Sequence, residues 1–436
     1  MVCFSHTAIH VLDIGTWVLL RTQCSTHFTS SSEERKVEIL MGDPKERLTT
    51  SISDVELERR WKAARELMRE NKVDFLLMRQ DEEYLGGYVR WFSDLSARHS
   101  YPFTVIFPAD DEITLIAVGA PAPGEPAPPA WAVRGVKKRL SAAYFSSVHY
   151  TSTYDAELAA GVLKEKKWAT IGLVGRSYIP VTFYEYLKKH LVGYKFVDMT
   201  DAIDQVKVIK SPEEIELIKK TATLQDVAFE HVRKVLKLGK RDFEIHAEAH
   251  YSTTMNGSER GLVIVGSGPP GTPVSFQHRR FQNRVIQEGD QVSLLVEVNG
   301  PGGFYTELGR IFSIGTPPQE LQDAFGVSIE AQQLTLSLLK PGANPKDIIE
   351  ANNEFLQKKG YFPERRLYAH GQGYDLVERP LIRQDEPMKI KAGMSITVHP
   401  AATNATVWGS LTDNYLVTEQ GVGPCLHKTP KEIIVV

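Results

Sequence analysis

Four side chains in the last third of the chain could act together on a metal ion or a proton. Glu297 lies in Ser293-Leu-Leu-Val-Glu-Val-Asn299 and Glu307 in Phe304-Tyr-Thr-Glu-Leu-Gly-Arg310. His370 lies in Ala369-His-Gly-Gln-Gly373 and His399 in Ile396-Thr-Val-His-Pro400. Apolar residues of strand-forming type flank them. A carboxylate or imidazole buried alone in such a strand is costly. Convergence removes that cost, because one cation or one shared proton network satisfies several of them at once.

The two glutamates flank Asn299-Gly-Pro-Gly-Gly303, a turn through which two antiparallel strands could set them face to face. Paired carboxylates imply a bound cation or one carboxyl kept protonated. The competing reading is an edge strand that leaves one of them in solvent. Gly371 and Gly373 alternate after His370, which lets a substrate or a second strand approach the backbone. Singly, each histidine reads as structural; two beside two carboxylates point to a site. His278, in Ser275-Phe-Gln-His-Arg-Arg280, is by type a proton donor or oxyanion partner, and equally a surface residue beside two arginines. His246 and His250 are four apart on a helical stretch, but the order is not His-Glu-x-x-His, so they read as surface residues. Gly266-Ser-Gly-Pro-Pro-Gly271 matches a dinucleotide fingerprint in letters only. Pro269 and Pro270 lack the amide donors a phosphate needs, so this stretch is expected to be a loop shaping a pocket.

Elements of two kinds must carry these residues. Ser53-Asp-Val-Glu56 predicts a capping box and a helix to about residue 70. A strand at 73–78 follows, then a hairpin of 103–107 with 113–117 around Asp110-Asp111. Residues 119–129, rich in Pro, Ala and Gly, predict a loop. A helix near 155–166, a strand at 170–174, a helix near 180–190 and a strand near Phe196 complete an α/β pattern ending near Asp201. Ser211-Pro-Glu-Glu214 caps a long helix that stops at Gly239. Leu236-Lys-Leu-Gly-Lys-Arg-Asp242 resembles Leu339-Lys-Pro-Gly-Ala-Asn-Pro-Lys-Asp347. Each ends one helix and starts another, which suggests two similar halves facing each other across a site.

Composition narrows the functions. A chain of 436 residues favours two domains or more, and a net charge of −3 carries no nucleic-acid signature. Its apolar segments fall short of the run of about 18 residues that a membrane span needs. Cys3, Cys24 and Cys425 are too few for a disulfide framework, so a reducing, cytoplasmic setting is expected. The expected organisation is an extension over 1–52, disordered and outside the fold, an α/β domain over 53–205 and a catalytic domain over 206–436.

In order, Tyr84-Leu-Gly-Gly-Tyr88, Lys210-Ser-Pro-Glu-Glu-Ile-Glu-Leu-Ile218, Glu288-Gly-Asp290, Leu339-Lys-Pro-Gly342, His370-Gly-Gln-Gly373, Gly393-Met394 and Leu416-Val-Thr-Glu419 resemble the pita-bread family of creatinases, prolidases and aminopeptidases P. The resemblance covers roughly residues 53–436. It implies a creatinase-like N-terminal α/β domain followed by a duplicated catalytic domain of α+β type. It also implies ligand positions for two metal ions, filled in the family's peptidases by two Asp, one His and two Glu. Here they fall on Glu297, Glu307, His370, His399 and Thr412, with Asp413 adjacent. His278 keeps a histidine the family uses on substrate, and Val377, before Glu378-Arg-Pro380, replaces another. By the same resemblance Glu378 joins the catalytic group, and Tyr305 and Val377 line the substrate. Arg90 and Trp91, read as exposed loop residues, close the neighbouring site of a homodimer; alternatively Trp91 packs into its own domain.

With His and Thr for the bridging glutamates, at most one divalent transition metal (Fe, Mn or Zn) is expected on Glu297, Glu307, His370, His399 and Asp413. Metal-free, creatinase-like proton transfer stays open. The leading expectation is hydrolysis or lyase cleavage of a small, polar, amino-acid-derived substrate. The alternatives are a divergent Xaa-Pro metallo-aminopeptidase or dipeptidase, and an inactive binding module.

Overall fold

A computed structural model describes residues 51–436, except 81, 83, 97–99, 120–131 and 278–280. The expectations for the N-terminal extension, for most of the Pro-rich loop and for His278 therefore lie outside the described residues.

The first domain opens with α1 (Asp54–Asn71), where Ser53 Oγ accepts the Glu56 amide at 3.1 Å. The predicted capping box is half made. The Glu56 carboxylate turns to Arg59 and Arg60, and the Ser53 amide donates instead to Glu213 at 2.6 Å. There follow β1 (Phe75–Gln80), α2 (Gly87–Ser93), β2 (Phe103–Pro108), β3 (Ile113–Val118), β4 (Val136–Ala142), α3 (Tyr154–Leu163), β5 (Thr170–Leu173), α4 (Val181–His190), β6 (Lys195–Asp198) and α5 (Thr200–Lys207). They form one six-stranded sheet in the order β4-β3-β2-β1-β5-β6. Period-2 alternation in β1 feeds both faces: Leu76 and Met78 pack with Leu57 and Phe92, whereas Phe75 and Leu77 pack with Ala159 and Phe183.

The second domain begins with α6 (Pro212–Val235), where both halves of the Ser211–Glu214 capping box are present. Then come α7 (Asp242–Met255), β7 (Gly261–Gly268), β8 (Gln291–Asn299), β9 (Tyr305–Ser313), α8 (Gln319–Leu338), α9 (Pro345–Lys358), β10 (Ala369–Gly371), β11 (Glu378–Leu381), β12 (Ser395–Val398), β13 (Ala401–Thr403), β14 (Trp408–Ser410), β15 (Asp413–Thr418), β16 (Gly421–Val422) and β17 (Ile434–Val435). Two helices and a mainly antiparallel sheet occur twice. Helices α6 and α7 go with β17-β9-β8-β7, and α8 and α9 with β11-β10-β12-β15-β16. A backbone bridge from Gly309 to Thr412 joins the halves. Gly239 and Gly342, the repeated helix breakers, both adopt positive φ, 84° and 90°, the left-handed turn open to glycine.

Two expectations fail locally. Residues 266–268 are the end of β7 rather than a loop. Arg90 and Trp91 are not in an exposed loop: they lie on α2, and both are buried. No helix among the described residues is long and apolar enough to cross a membrane.

Candidate active site

Strand pairing puts Glu297 on β8 directly opposite Glu307 on β9. Both side chains are buried. From the other half, β10 pairs with β12 so that His370 faces Thr397, and the His399 amide extends the pairing by donating to Tyr368 at 2.7 Å. The two imidazole rings meet edge to face at 5.4 Å. His370 Nε2 lies 3.7 Å from Glu307 Oε2. One potential ligand atom from each of Glu307, His370 and His399 falls within 4.8 Å of the others.

Hydrogen bonds fix this group from behind. His370 Nδ1 lies 3.0 Å from the Gly371 carbonyl. A carbonyl only accepts, so the proton sits on Nδ1 and the Nε2 lone pair is left toward Glu307. Thr397 Oγ1 donates to Glu307 at 3.3 Å. Gln372 Nε2 donates to Glu297 at 2.9 Å, Asn414 Nδ2 donates to Gln372 at 2.6 Å, and the Glu307 amide donates to Asn414 at 2.6 Å. Glu297 is thus held by an amide chain beside the three-residue cluster. Thr412 is fully buried next to Gly309, and its hydroxyl has no partner among the described residues.

Burial sets the protonation. It raises Glu297 well above the usual carboxylate range, and the facing Glu307 adds to this. It raises Glu307 to about 8. Burial also lowers His370 to about 4. His399 falls to about 3, through burial first and then the neighbouring His370. Near neutrality the imidazoles are uncharged and the two carboxyls can hold a proton between them.

Such a donor set fits one divalent transition ion. Two neutral imidazoles and one carboxylate are ready ligands, and a cation would favour ionised Glu307. It does not fit two ions, because His399 and Thr412 cannot bridge as carboxylates do.

The catalytic half matches the metallopeptidase family M24 over residues 216–419, and the preceding domain matches the creatinase/prolidase N-terminal domain over residues 60–209. The chain belongs to the creatinase/prolidase pita-bread family. Its relatives include an Xaa-Pro dipeptidase of Pyrococcus furiosus, 28% identical over 275 residues, which are 62% of this chain and 76% of that protein. A probable dipeptidase PepE of Mycobacterium tuberculosis is 28% identical over 244 residues, 54% of this chain and 63% of that one. Among solved structures, an X-Pro aminopeptidase from Thermotoga maritima superposes with a TM-score of 0.72 at 20% identity, covering 86% of this chain and 99% of that one. The prolidase from Pyrococcus horikoshii gives 0.69 at 22%, covering 86% and 100%. At that identity the structures speak for the fold. The relatives are peptidases, which supports hydrolase chemistry for this pita-bread member.

Several residues expected at the site sit elsewhere. Asp413 points away from the cluster: Arg310 Nη2 donates to it at 2.7 Å, with both side chains fully buried, and Gln332 donates at 3.1 Å. Asp413 does lie near Cys425 and His427. The other contacts of His427 are Gln225 and the Asn414 amide, and Asp413 is already paired with Arg310, so this second cluster is a satisfied core network. Glu378, expected in the catalytic group, is engaged in a buried ionic group of its own. Lys207 and Lys210 donate to it at 2.6 and 2.8 Å. Those two cations outweigh burial and hold its carboxyl at about 2. The glycines after His370 serve the chain itself. A Cβ on Gly371 would overlap the Arg379 carbonyl, and one on Gly373 would overlap the Lys210–Glu378 pair.

The Arg90 guanidinium pairs with Glu259 of its own chain. Trp91 stacks edge-on with Phe92 inside its own domain. Tyr305 is buried, two residues before Glu307 on β9 and therefore on the same face. Val377 is half-buried, just ahead of β11. Gln372, Thr397 and Asn414 were not foreseen. Gln372 was within reach of the sequence, because it follows His370 by two and alternation puts both on one side of a strand.

Proposed function

We propose that the chain hydrolyses dipeptide-sized substrates, with Xaa-Pro dipeptides the first candidates, at a site rebuilt for one divalent transition metal. The observation that carries this reading is the convergence of Glu307, His370 and His399, with Glu297 held beside them by Gln372. The peptidase relatives favour it over lyase cleavage of a small amino-acid derivative, which the sequence had put first. Glu307, His370 and His399 would hold the ion, which when bound polarises a carbonyl and acidifies a water. Glu297, not needed as a ligand, accepts and returns the proton. The Gln372–Asn414 chain keeps its carboxyl turned toward the cluster, and Tyr305 walls the same face. We also infer a cytoplasmic homodimer; the scarcity of cysteine supports the compartment, and light scattering tests the assembly.

The test is a panel of Xaa-Pro dipeptides, other dipeptides and N-substituted amino acids, assayed with Mn, Fe or Zn added singly. Release of free amino acids from dipeptides, abolished by chelation, supports the proposal. Turnover only of N-substituted amino acids, or turnover unaffected by chelator, favours creatinase-like chemistry. No turnover of any compound favours the inactive binding module.

A further inference from the structure

His427 lies on the segment between β16 and β17, and its side chain is fully buried. The residues beside it anchor that segment to both halves of the catalytic domain. The Leu426 amide donates to the Asn414 carbonyl at 3.0 Å, and the Lys428 and Thr429 amides both donate to Asp226 of α6 at 2.9 Å.

The contacts of the imidazole fix its tautomer. Nδ1 faces the Asn414 backbone amide at 3.4 Å, and an amide only donates, so Nδ1 is the acceptor. Nε2 therefore carries the proton and donates to Gln225 Oε1 at 2.9 Å. The Gln225 amide is itself oriented: its Nε2 donates to the Thr306 carbonyl, and its Oε1 accepts the Thr306 hydroxyl at 2.8 Å. Burial keeps the imidazole neutral against the pull of Asp413, at about 4.

Two routes lead from His427 to the carboxylate pair. Gln225 holds Thr306, which precedes Glu307 and pairs with Val298, the residue after Glu297. Asn414 accepts the Glu307 amide and donates to Gln372, which donates to Glu297. The routes close into a ring of hydrogen bonds and strand pairing around Glu297 and Glu307. His427 joins the arm from α6 to the arm from β15.

We propose that His427 is a positioning residue: from outside the cluster, through Gln225 and Asn414, it fixes the placement of Glu297 relative to Glu307. Its effect on turnover rests on the hydrolytic reading above, whereas its effect on the strands does not.

Three variants and two readouts test this. His427→Gln keeps a donor for Gln225, His427→Asn keeps an acceptor for the Asn414 amide, and His427→Leu keeps neither. Amide exchange of the metal-free protein is read by mass spectrometry on the peptide 304–311. It should quicken about tenfold in His427→Leu, in keeping with two modest hydrogen bonds lost, and less in the other two. Exchange in β1 should not change. For dipeptides, kcat per folded molecule should fall in the same order with KM kept. Wild-type exchange at 304–311 in every variant would overturn the proposal. So would an unchanged kcat in His427→Leu where wild type hydrolyses dipeptides. Equal losses in all three variants would overturn it too, since packing rather than hydrogen bonding would then be the cause. If His427→Leu does not fold, His427→Gln and His427→Asn decide: exchange at the wild-type rate in both overturns the proposal. If wild type cleaves no dipeptide, the hydrolytic reading fails, and exchange alone decides His427.

Discussion

Replacing Glu378 by Gln keeps the shape of the side chain and removes its charge from a closed ionic group. Lys207 donates to Asp375 at 2.7 Å and to Glu378 at 2.6 Å, while Lys210 donates to Glu378 at 2.8 Å, its only carboxylate among the described residues. The Gly87 amide donates to Asp375 at 2.7 Å, which ties helix α2 of the first domain to this group. The substitution leaves two buried ammonium groups facing one carboxylate. Breaking a buried pair from one side costs about 3–5 kcal/mol. The pKa gives a second route. A carboxyl held at about 2 rather than 4.5 corresponds to roughly 3 kcal/mol of stability. Because the folded-state value is depressed, this contribution is complete above about pH 4.5 and fades as pH falls toward 2. Urea unfolding at pH 7 should therefore show Glu378→Gln less stable by about 3 kcal/mol, with a smaller gap as the pH falls below 4.5. Below the unfolding transition, turnover per folded molecule should stay near that of wild type. An unchanged urea midpoint with turnover lost would refute the structural assignment and return Glu378 to the catalytic group.

Glu307→Gln should lower turnover by a factor on the order of 10² or more with the fold kept, as thermal melting and kinetics together would show. A fully active variant would make this residue structural. Asp413→Asn strands the fully buried Arg310 and should cost about 3–5 kcal/mol in urea unfolding while leaving the metal content unchanged. Loss of metal with stability intact would put Asp413 back among the ligands. Gln372→Leu removes the donor to Glu297 and should reduce kcat more than KM in steady-state kinetics, with the metal content unaltered. Equal kinetics would show that Glu297 needs no such support.

Much of the fold was legible because it rests on local rules. The Ser211 box, the glycines at 239 and 342, and the alternation in β1 each act over a few residues. The facing of Glu297 and Glu307 was also legible, since one turn joins their strands. The failures share another cause. Asp413 and Glu378 stand close in sequence to residues of the cluster, but the cations that pair with them, Arg310 and the Lys207–Lys210 pair, come from about a hundred residues or more away. Sequence proximity carries no sign of that competition. Arg90 misled because charge suggested exposure, whereas Glu259, distant in the chain, neutralises it inside.

Metal content per chain, measured by mass spectrometry after exhaustive dialysis, tests the rebuilt site most directly. Wild type loaded with Mn, Fe or Zn should retain one equivalent, and His370→Ala and His399→Ala should each lose it while remaining folded. Two equivalents retained by wild type would contradict the single-metal site, and none retained would contradict metal binding by Glu307, His370 and His399 altogether.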